Sequence, residues 1–65
     1  MIEIKNEYTA GKHKVLVLSD NIPIRPFKNV EIDGKKYVPE VVYGVENEIG
    51  VESDKRLVGK VIKFV

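Results

Sequence analysis

The sequence predicts a single all-β domain over residues 1–65, folded as a small antiparallel barrel of five or six strands. Length is the first reason, because 65 residues suffice for one domain only. The second is composition: Val and Ile are abundant, and their branched side chains suit the pleated surface of a sheet. The third is that short alternating segments are separated by Gly, Pro, Asn and Asp, which form turns.

The first two segments predict a hairpin. Apolar and charged residues alternate from Ile2 onward over residues 2–8, as in a strand with one buried face. Gly11 lies in the turn that follows, where it can adopt a positive φ. Residues 13–19 include four consecutive apolar residues at positions 15–18, which indicates a strand covered on both faces.

The next segment contains Pro23 and Pro26 and is predicted to be an ordered loop across the end of the sheet. Neither proline can donate a backbone hydrogen bond, and each holds the residue before it in an extended conformation. The Pro-Ile-Arg-Pro sequence also matches the PxxP pattern of polyproline ligands, but we favour a stiff loop. Three apolar side chains of this loop are expected to cover the end of the barrel: Ile22, Ile24 and Phe27.

The dipeptide Asp-Gly at positions 33–34, between two alternating segments, predicts a hairpin with a type I′ turn. A two-residue turn fixes the pairing of the two strands. Val30 then faces Tyr37, an aromatic and β-branched pair on one side of the hairpin. Glu31 faces Lys36 on the other side, and opposite charges are also favourable cross-strand neighbours.

The remaining segments are shorter. Pro39 predicts a bend or an edge position, and residues 41–43 continue as a strand. Residues 49–51 and 60–65 are predicted to be the last two strands. One 3₁₀ or helical turn is expected near residues 54–58, with a serine or aspartate cap before it and a glycine after it.

This order of strands, hairpin, short strand, helical turn and final strand resembles that of an SH3-like barrel. The resemblance is one of architecture, without a family motif. An OB-like barrel is the alternative, weakened because the sequence offers no connecting helix.

Composition narrows the possible functions. Eleven basic and ten acidic residues give a net charge of +1, unlike a protein held to nucleic acid by bulk charge. Without cysteine, and with His13 as the only histidine, disulfides and thiolate or multi-histidine metal sites are excluded. The N-terminus has no apolar run of a secretory signal, and no segment reaches the roughly 20 apolar residues of a membrane span. We expect a cytoplasmic protein with no cofactor, metal or membrane contact.

Catalytic patterns are absent from the sequence, so we expect the protein not to be an enzyme. No nucleophile, base and orienting residue form a recognisable set. His13 lies between two lysines near a predicted turn and is interpreted as a surface residue. The acidic residues between positions 46 and 54 lack the spacing of a calcium loop and are interpreted as a solvated face.

The predicted function is therefore a protein-interaction or assembly module of a larger complex, whose partner is another protein or a second copy. The alternative is binding of single-stranded nucleic acid, which would need tyrosines exposed beside lysines. The positions of these residues on the folded surface distinguish the two functions. The candidate interaction surface consists of Ile22, Ile24, Arg25, Phe27, Tyr37 and Tyr43.

Overall fold

The computed structural model describes all 65 residues and contains seven β-strands and no helix, which confirms the all-β class. All neighbouring strands are antiparallel, and they form one sheet in the order β4-β3-β7-β1-β2-β6-β5. There is accordingly no helix long and apolar enough to cross a membrane. The strands are β1 (Ile2–Ala10), β2 (His13–Leu18), β3 (Val30–Ile32), β4 (Lys35–Tyr37), β5 (Glu40–Val41), β6 (Glu48–Val51) and β7 (Val61–Phe64).

Strand β1 joins the two halves of the sheet. Its first residues pair with β7, and the rest of the strand pairs with β2. The pairing with β2 shifts by one position between Ile4 and Asn6, which makes Lys5 the extra residue of a β-bulge. The bulge also shifts the alternation of the side chains. After Ile4, the next residue shielded from solvent is therefore Glu7 and not Asn6.

The sheet is not closed into a barrel, because its two edge strands, β4 and β5, are not hydrogen-bonded to each other. Only Val38 and Pro39 separate these strands, so the Cα atoms of Tyr37 and Glu40 lie within about 11 Å of each other. The sheet is thus rolled, with an unbonded seam at Pro39. The prediction of five or six strands is wrong, since Pro39 cannot donate to a ladder and splits this segment in two.

The core is one cluster of 11 buried hydrophobic residues, to which every strand except β5 contributes. Strand β2 is covered on both faces, as predicted. Its neighbouring residues Val15 and Leu16 point to opposite faces, and both are buried. Strand β5 contributes nothing to the core because Glu40 and Val41 are both exposed.

The β3–β4 hairpin has the predicted register. Val30 pairs with Tyr37, and both side chains are buried. Glu31 pairs with Lys36 across the outer face, although no ion pair within 4.0 Å joins them. The φ angles of the turn residues at positions 33 and 34 are 54° and 81°, both positive as a type I′ turn requires. Local turn chemistry therefore sets the pairing of this part of the sheet.

Replacing Gly34 with valine is expected to lower the free energy of unfolding by more than about 1 kcal/mol. A Cβ atom at Gly34 would meet no atom within 4 Å, so the cost comes from the backbone strain of a β-branched residue at positive φ. Gly34→Asn is the matched control, since asparagine tolerates this conformation. Urea unfolding of both variants measures the difference, and equal stability of the two would contradict the φ-based explanation.

The predicted 3₁₀ or helical turn near residues 54–58 is wrong: this segment contains bends and no helix. Its backbone N–H groups have partners other than the carbonyls of a helix. The N–H of Lys55 donates to Ser53 Oγ at 3.1 Å, and that of Leu57 donates to Glu7 Oε1 on β1 at 2.7 Å. The Leu57 side chain is buried in the core. The local bond to Ser53 thus forms, but Leu57 bonds to Glu7 on β1 and no helical turn follows.

Candidate functional site

A cleft of about 600 Å³ lies between the loop that follows β2 and the segment that follows β5. Seven of its ten lining residues are hydrophobic, so it is suited to apolar side chains. We call this surface the apolar cleft and define it by Ile22, Ile24, Phe27, Val41 and Tyr43.

Backbone hydrogen bonds fix the two walls of the apolar cleft to each other. The N–H of Ile22 donates to the carbonyl oxygen of Glu46 at 2.8 Å, which joins the first loop to the second segment. The side-chain amide of Asn21 donates to Glu46 Oε2 at 3.1 Å beside it. Within the second segment, the N–H of Val45 donates to the carbonyl of Val42 at 3.3 Å and closes a turn.

The other end of the first loop is attached to the C-terminal residues. The N–H groups of Lys28 and Asn29 both donate to the carbonyl of Val65, at 2.9 and 3.0 Å. The guanidinium of Arg25 donates to the carbonyl of Phe64. The loop is thus held at both ends, and its two prolines restrict the backbone between them.

The floor of the apolar cleft is packed on the core, whereas its rim is exposed. The Phe27 ring lies edge-to-face on the Phe64 ring, with 4.9 Å between the centroids, and Ile22 also packs against the core. The side chains of Ile24, Tyr43 and Val41 are 104%, 94% and 62% exposed. The expectation that Ile24 covers the end of a barrel is therefore wrong, while Ile22 and Phe27 do pack against the core.

The structure brings most of the sequence-predicted surface together. Four of its six residues line the apolar cleft: Ile22, Ile24, Phe27 and Tyr43. Arg25 is next to Ile24 in the chain but directs its guanidinium to β7. Tyr37 was expected on this surface, but it lies outside the cleft and is buried in the core. The ammonium of Lys35 lies 5.2 Å from its ring centroid.

Sequence reasoning missed the valines of the second wall, namely Val41, Val42 and Val45. The predicted strand over residues 41–43 implied one inward-facing side, but the observed strand β5 ends at Val41. The available signal was the number of valines beside Pro39 and Gly44, a composition that gives a loop an apolar surface.

Glu46 is the only charged residue that lines the apolar cleft. Asn21 contacts this carboxylate and that of Asp20, which lies outside the lining: its side-chain amide donates to Glu46 Oε2, and its backbone N–H donates to Asp20 Oδ1 at 2.8 Å. Neither Asp20 nor Glu46 belongs to any of the four ion pairs of the chain. No lysine or arginine lines the cleft. These two negative charges therefore lack a cationic partner within the chain.

Tyr8 and Tyr43, the two exposed tyrosines, each lie near an acidic residue. Tyr8 donates a hydrogen bond of 2.7 Å from its hydroxyl to Glu48 Oε1, and this bond to a carboxylate raises the pKa of the Tyr8 phenol. Tyr43 lies in the apolar cleft, where its only titratable neighbour among the lining residues is Glu46.

A second polar cluster has a structural role. Glu7 Oε2 lies 3.0 Å from the ammonium of Lys14, and both side chains are largely shielded, with 15% and 12% exposure. Glu7 Oε1 accepts the N–H of Leu57, and Lys14 donates to the carbonyl of Lys55. Burial raises the pKa of Glu7, but the hydrogen bonds from Leu57 and Lys14 outweigh it and the pKa is lowered. The ionised pair attaches the segment around Leu57 to the first hairpin.

The apolar cleft therefore presents apolar side chains to solvent beside one carboxylate, that of Glu46. Elsewhere His13 Nε2 lies 3.3 Å from Glu40 Oε1, and no group of three or more His, Asp or Glu side chains converges on one point.

Comparisons with known protein families, with curated proteins and with solved structures find no significant match to this chain.

Proposed function

We propose that the protein is a non-enzymatic protein-interaction or assembly module and that the apolar cleft is its docking site. The observation that carries this proposal is the exposure of Ile24, Val41 and Tyr43 around a concave surface. Contiguous exposed apolar surface on a small protein is characteristic of an interaction site, because leaving it in water is unfavourable. A partner would remove these side chains from water by filling the cleft.

The rigidity of the first loop supports docking of a preformed partner surface. The loop is hydrogen-bonded to Glu46 on one side and to Val65 on the other, with Pro23 and Pro26 between. A surface that is already ordered loses little conformational entropy when it binds. The cleft is therefore suited to recognition without folding on binding.

We further propose an SH3-like architecture opened at the seam. In support, β4 pairs with β3 while β5 pairs with β6, so residues 35–41 connect the two halves of the rolled sheet. Residues 35–41 thus act as one strand that is interrupted at Pro39. Strand β1 is similarly interrupted by its bulge and also pairs with both halves of the sheet. The OB-like alternative lacks support because the chain has no helix. A cytoplasmic location stays a prediction.

The alternative function, binding of single-stranded nucleic acid, has less support. A shallow depression does contain Lys12, Lys35 and Lys55, but Glu52 and Asp54 line it as well. Counterion release, which drives non-specific binding, needs lysines that are free of nearby carboxylates. No aromatic ring lines this depression.

Site-specific photo-crosslinking in cells that express the protein tests the proposed function. With a benzophenone amino acid in place of Tyr43, we expect discrete covalent adducts to protein. The same amino acid in place of Lys63, on the exposed face of β7, is the matched control and should give none. Protein adducts no stronger at Tyr43 than at Lys63 would contradict the proposal. Adducts at Tyr43 whose mass falls after nuclease treatment would instead support the nucleic-acid alternative.

A further inference from the structure

We propose that the occupant of the apolar cleft is a second copy of this chain, and that two copies pair about a two-fold axis. In this pair, Ile24 of each copy enters the cleft of the other. The inference rests on the proposed function of the cleft as a docking site and adds the identity of the partner.

Shape is the first argument. Ile24 protrudes fully into solvent at the rim of the cleft, between two prolines that restrict the backbone. The same face thus carries an apolar protrusion and an apolar depression. Two-fold interfaces require such self-complementary surfaces, because each copy presents the same patch to the other. The protrusion is preordered, so inserting it costs little conformational entropy.

Charge complementarity is the second argument. Glu46 lines the cleft and belongs to none of the ion pairs of the chain, and Arg25 follows Ile24 directly. A guanidinium carries five N–H donors, so Arg25 can bind a carboxylate while it donates to the carbonyl of Phe64. When Ile24 enters the opposite cleft, Arg25 is brought towards the Glu46 carboxylate of that copy.

The edges of the sheet are poorly suited to self-association, which leaves the cleft as the surface for pairing. Strand β4 presents Lys35 and Lys36, and lysines on an edge oppose edge-to-edge pairing. Strand β5 is two residues long and begins with Glu40. Because each copy uses both its protrusion and its cleft in the pair, association ends at two copies.

The size of the surface sets the expected affinity. Ten residues line the cleft, fewer than the 20–30 per partner of a standard interface, which buries about 800 Å² on each side. The whole chain exposes 4537 Å², so a standard interface would take a large share of it. We therefore expect a weak dimer, with a Kd between about 1 μM and 1 mM.

Sedimentation equilibrium over that concentration range tests the proposal. The wild-type mass is expected to rise from 7.4 kDa towards twice that value as concentration increases. Ile24→Asp should remain at the monomer mass, because a carboxylate cannot be buried in an apolar cleft without a partner. Val38→Asp is the matched control: Val38 is 78% exposed but lies outside the cleft, so this variant should dimerise like the wild type.

Charge reversal adds a test of the pairing itself. Arg25→Glu and Glu46→Arg should each weaken dimerisation at least about tenfold, because each places like charges together. The double variant restores opposite charges and should recover an affinity within about threefold of the wild type. Failure of the double variant to recover, with both single variants folded by circular dichroism, would overturn the proposed contact.

The outcomes separate this inference from the proposed function. A wild-type mass that stays at 7.4 kDa up to about 1 mM overturns the second copy as partner. If Tyr43 then still crosslinks to a different protein, the interaction function stands. If Tyr43 crosslinks to no protein, both the dimer and the interaction function are wrong. A mass beyond two copies, or loss of dimerisation in Val38→Asp, overturns the two-fold pairing through the cleft.

Discussion

Replacing Glu7 with alanine is expected to lower the free energy of unfolding by about 3 kcal/mol. The substitution removes the acceptor of the Leu57 N–H and the counterion of Lys14, whose side chain is only 12% exposed. An unpaired ammonium in a largely shielded position is more costly than the loss of an exposed ion pair. The segment around Leu57 would also lose its side-chain bond to β1, although the backbone bonds of Ile4 with Gly59 and Lys60 remain.

Urea unfolding of Glu7→Ala and of Glu3→Ala measures this cost. Glu3 is the matched control, because it lies on the same strand and its pair with Lys5 is exposed, at 3.8 Å. We expect Glu3→Ala to change stability by less than about 0.5 kcal/mol. Similar losses in the two variants would show that the Glu7 cluster does not stabilise the fold.

The same cluster predicts a dependence on pH. The folded-state pKa of Glu7 lies below its ordinary value of 4.5, so folding favours the ionised carboxylate. Its contribution is complete above the unfolded pKa and is lost as the pH falls through the folded pKa. The stability difference between the wild type and Glu7→Gln should therefore shrink as the pH falls below about 4.5. A difference that stays constant at acidic pH would exclude this explanation.

Replacing Ile4 with alanine is the second substitution with a large expected effect, about 3 kcal/mol. Ile4 is 1% exposed and lies where β1 leaves β7 and joins β2. Its N–H donates to the carbonyl of Lys60 at 2.9 Å, and its carbonyl accepts the N–H of Gly59 at 2.8 Å. The backbone at this position is thus fixed, and the structure cannot readily collapse into the cavity that alanine leaves.

Thermal and urea unfolding of Ile4→Ala beside Ile2→Ala measure the effect. Ile2 lies on the same strand and packs against the core from a partly exposed position. We expect it to lose less than half as much stability, because less buried surface is removed. Equal losses at the two positions would contradict the explanation that the complete burial of Ile4 sets the cost.

Features determined by neighbouring residues could be predicted from the sequence. The β3–β4 register follows from the Asp-Gly turn at positions 33–34, because a two-residue turn leaves one pairing for the residues beside it. Strand β2 was likewise predicted, since a run of apolar residues suits a strand with two covered faces.

Features determined by distant contacts could not be predicted. The bulge at Lys5 brings Glu7 to the shielded side of β1, whereas strict alternation places Asn6 there. Residues 54–58 have a good capping pattern for a helical turn, but their backbone is bound by Glu7, about 50 residues earlier in the chain.

In the candidate site, likewise, one wall follows from neighbouring residues and the other depends on distant contacts. Ile22, Ile24 and Phe27 were predicted together because the two prolines mark one loop. The opposite wall depends on how the chain continues after Pro39, which no local pattern specifies. Tyr37 was assigned to the surface because an isolated tyrosine fits both a core and an interface, and its burial depends on the packing of both halves of the sheet.

The unbonded seam at Pro39 has a mechanical consequence. A closed ring of strands opens only when a row of hydrogen bonds breaks, whereas here the two edge strands are joined only by the backbone through Val38 and Pro39. Strand β5 is hydrogen-bonded to β6 alone, so the seam is expected to be more compliant, within the reach of this connection, than the sheet along β1 and β2. Because Val41 belongs both to this strand and to the wall of the apolar cleft, widening of the seam moves that wall. A ligand that fills the cleft would then act as a clamp on the least restrained edge of the fold.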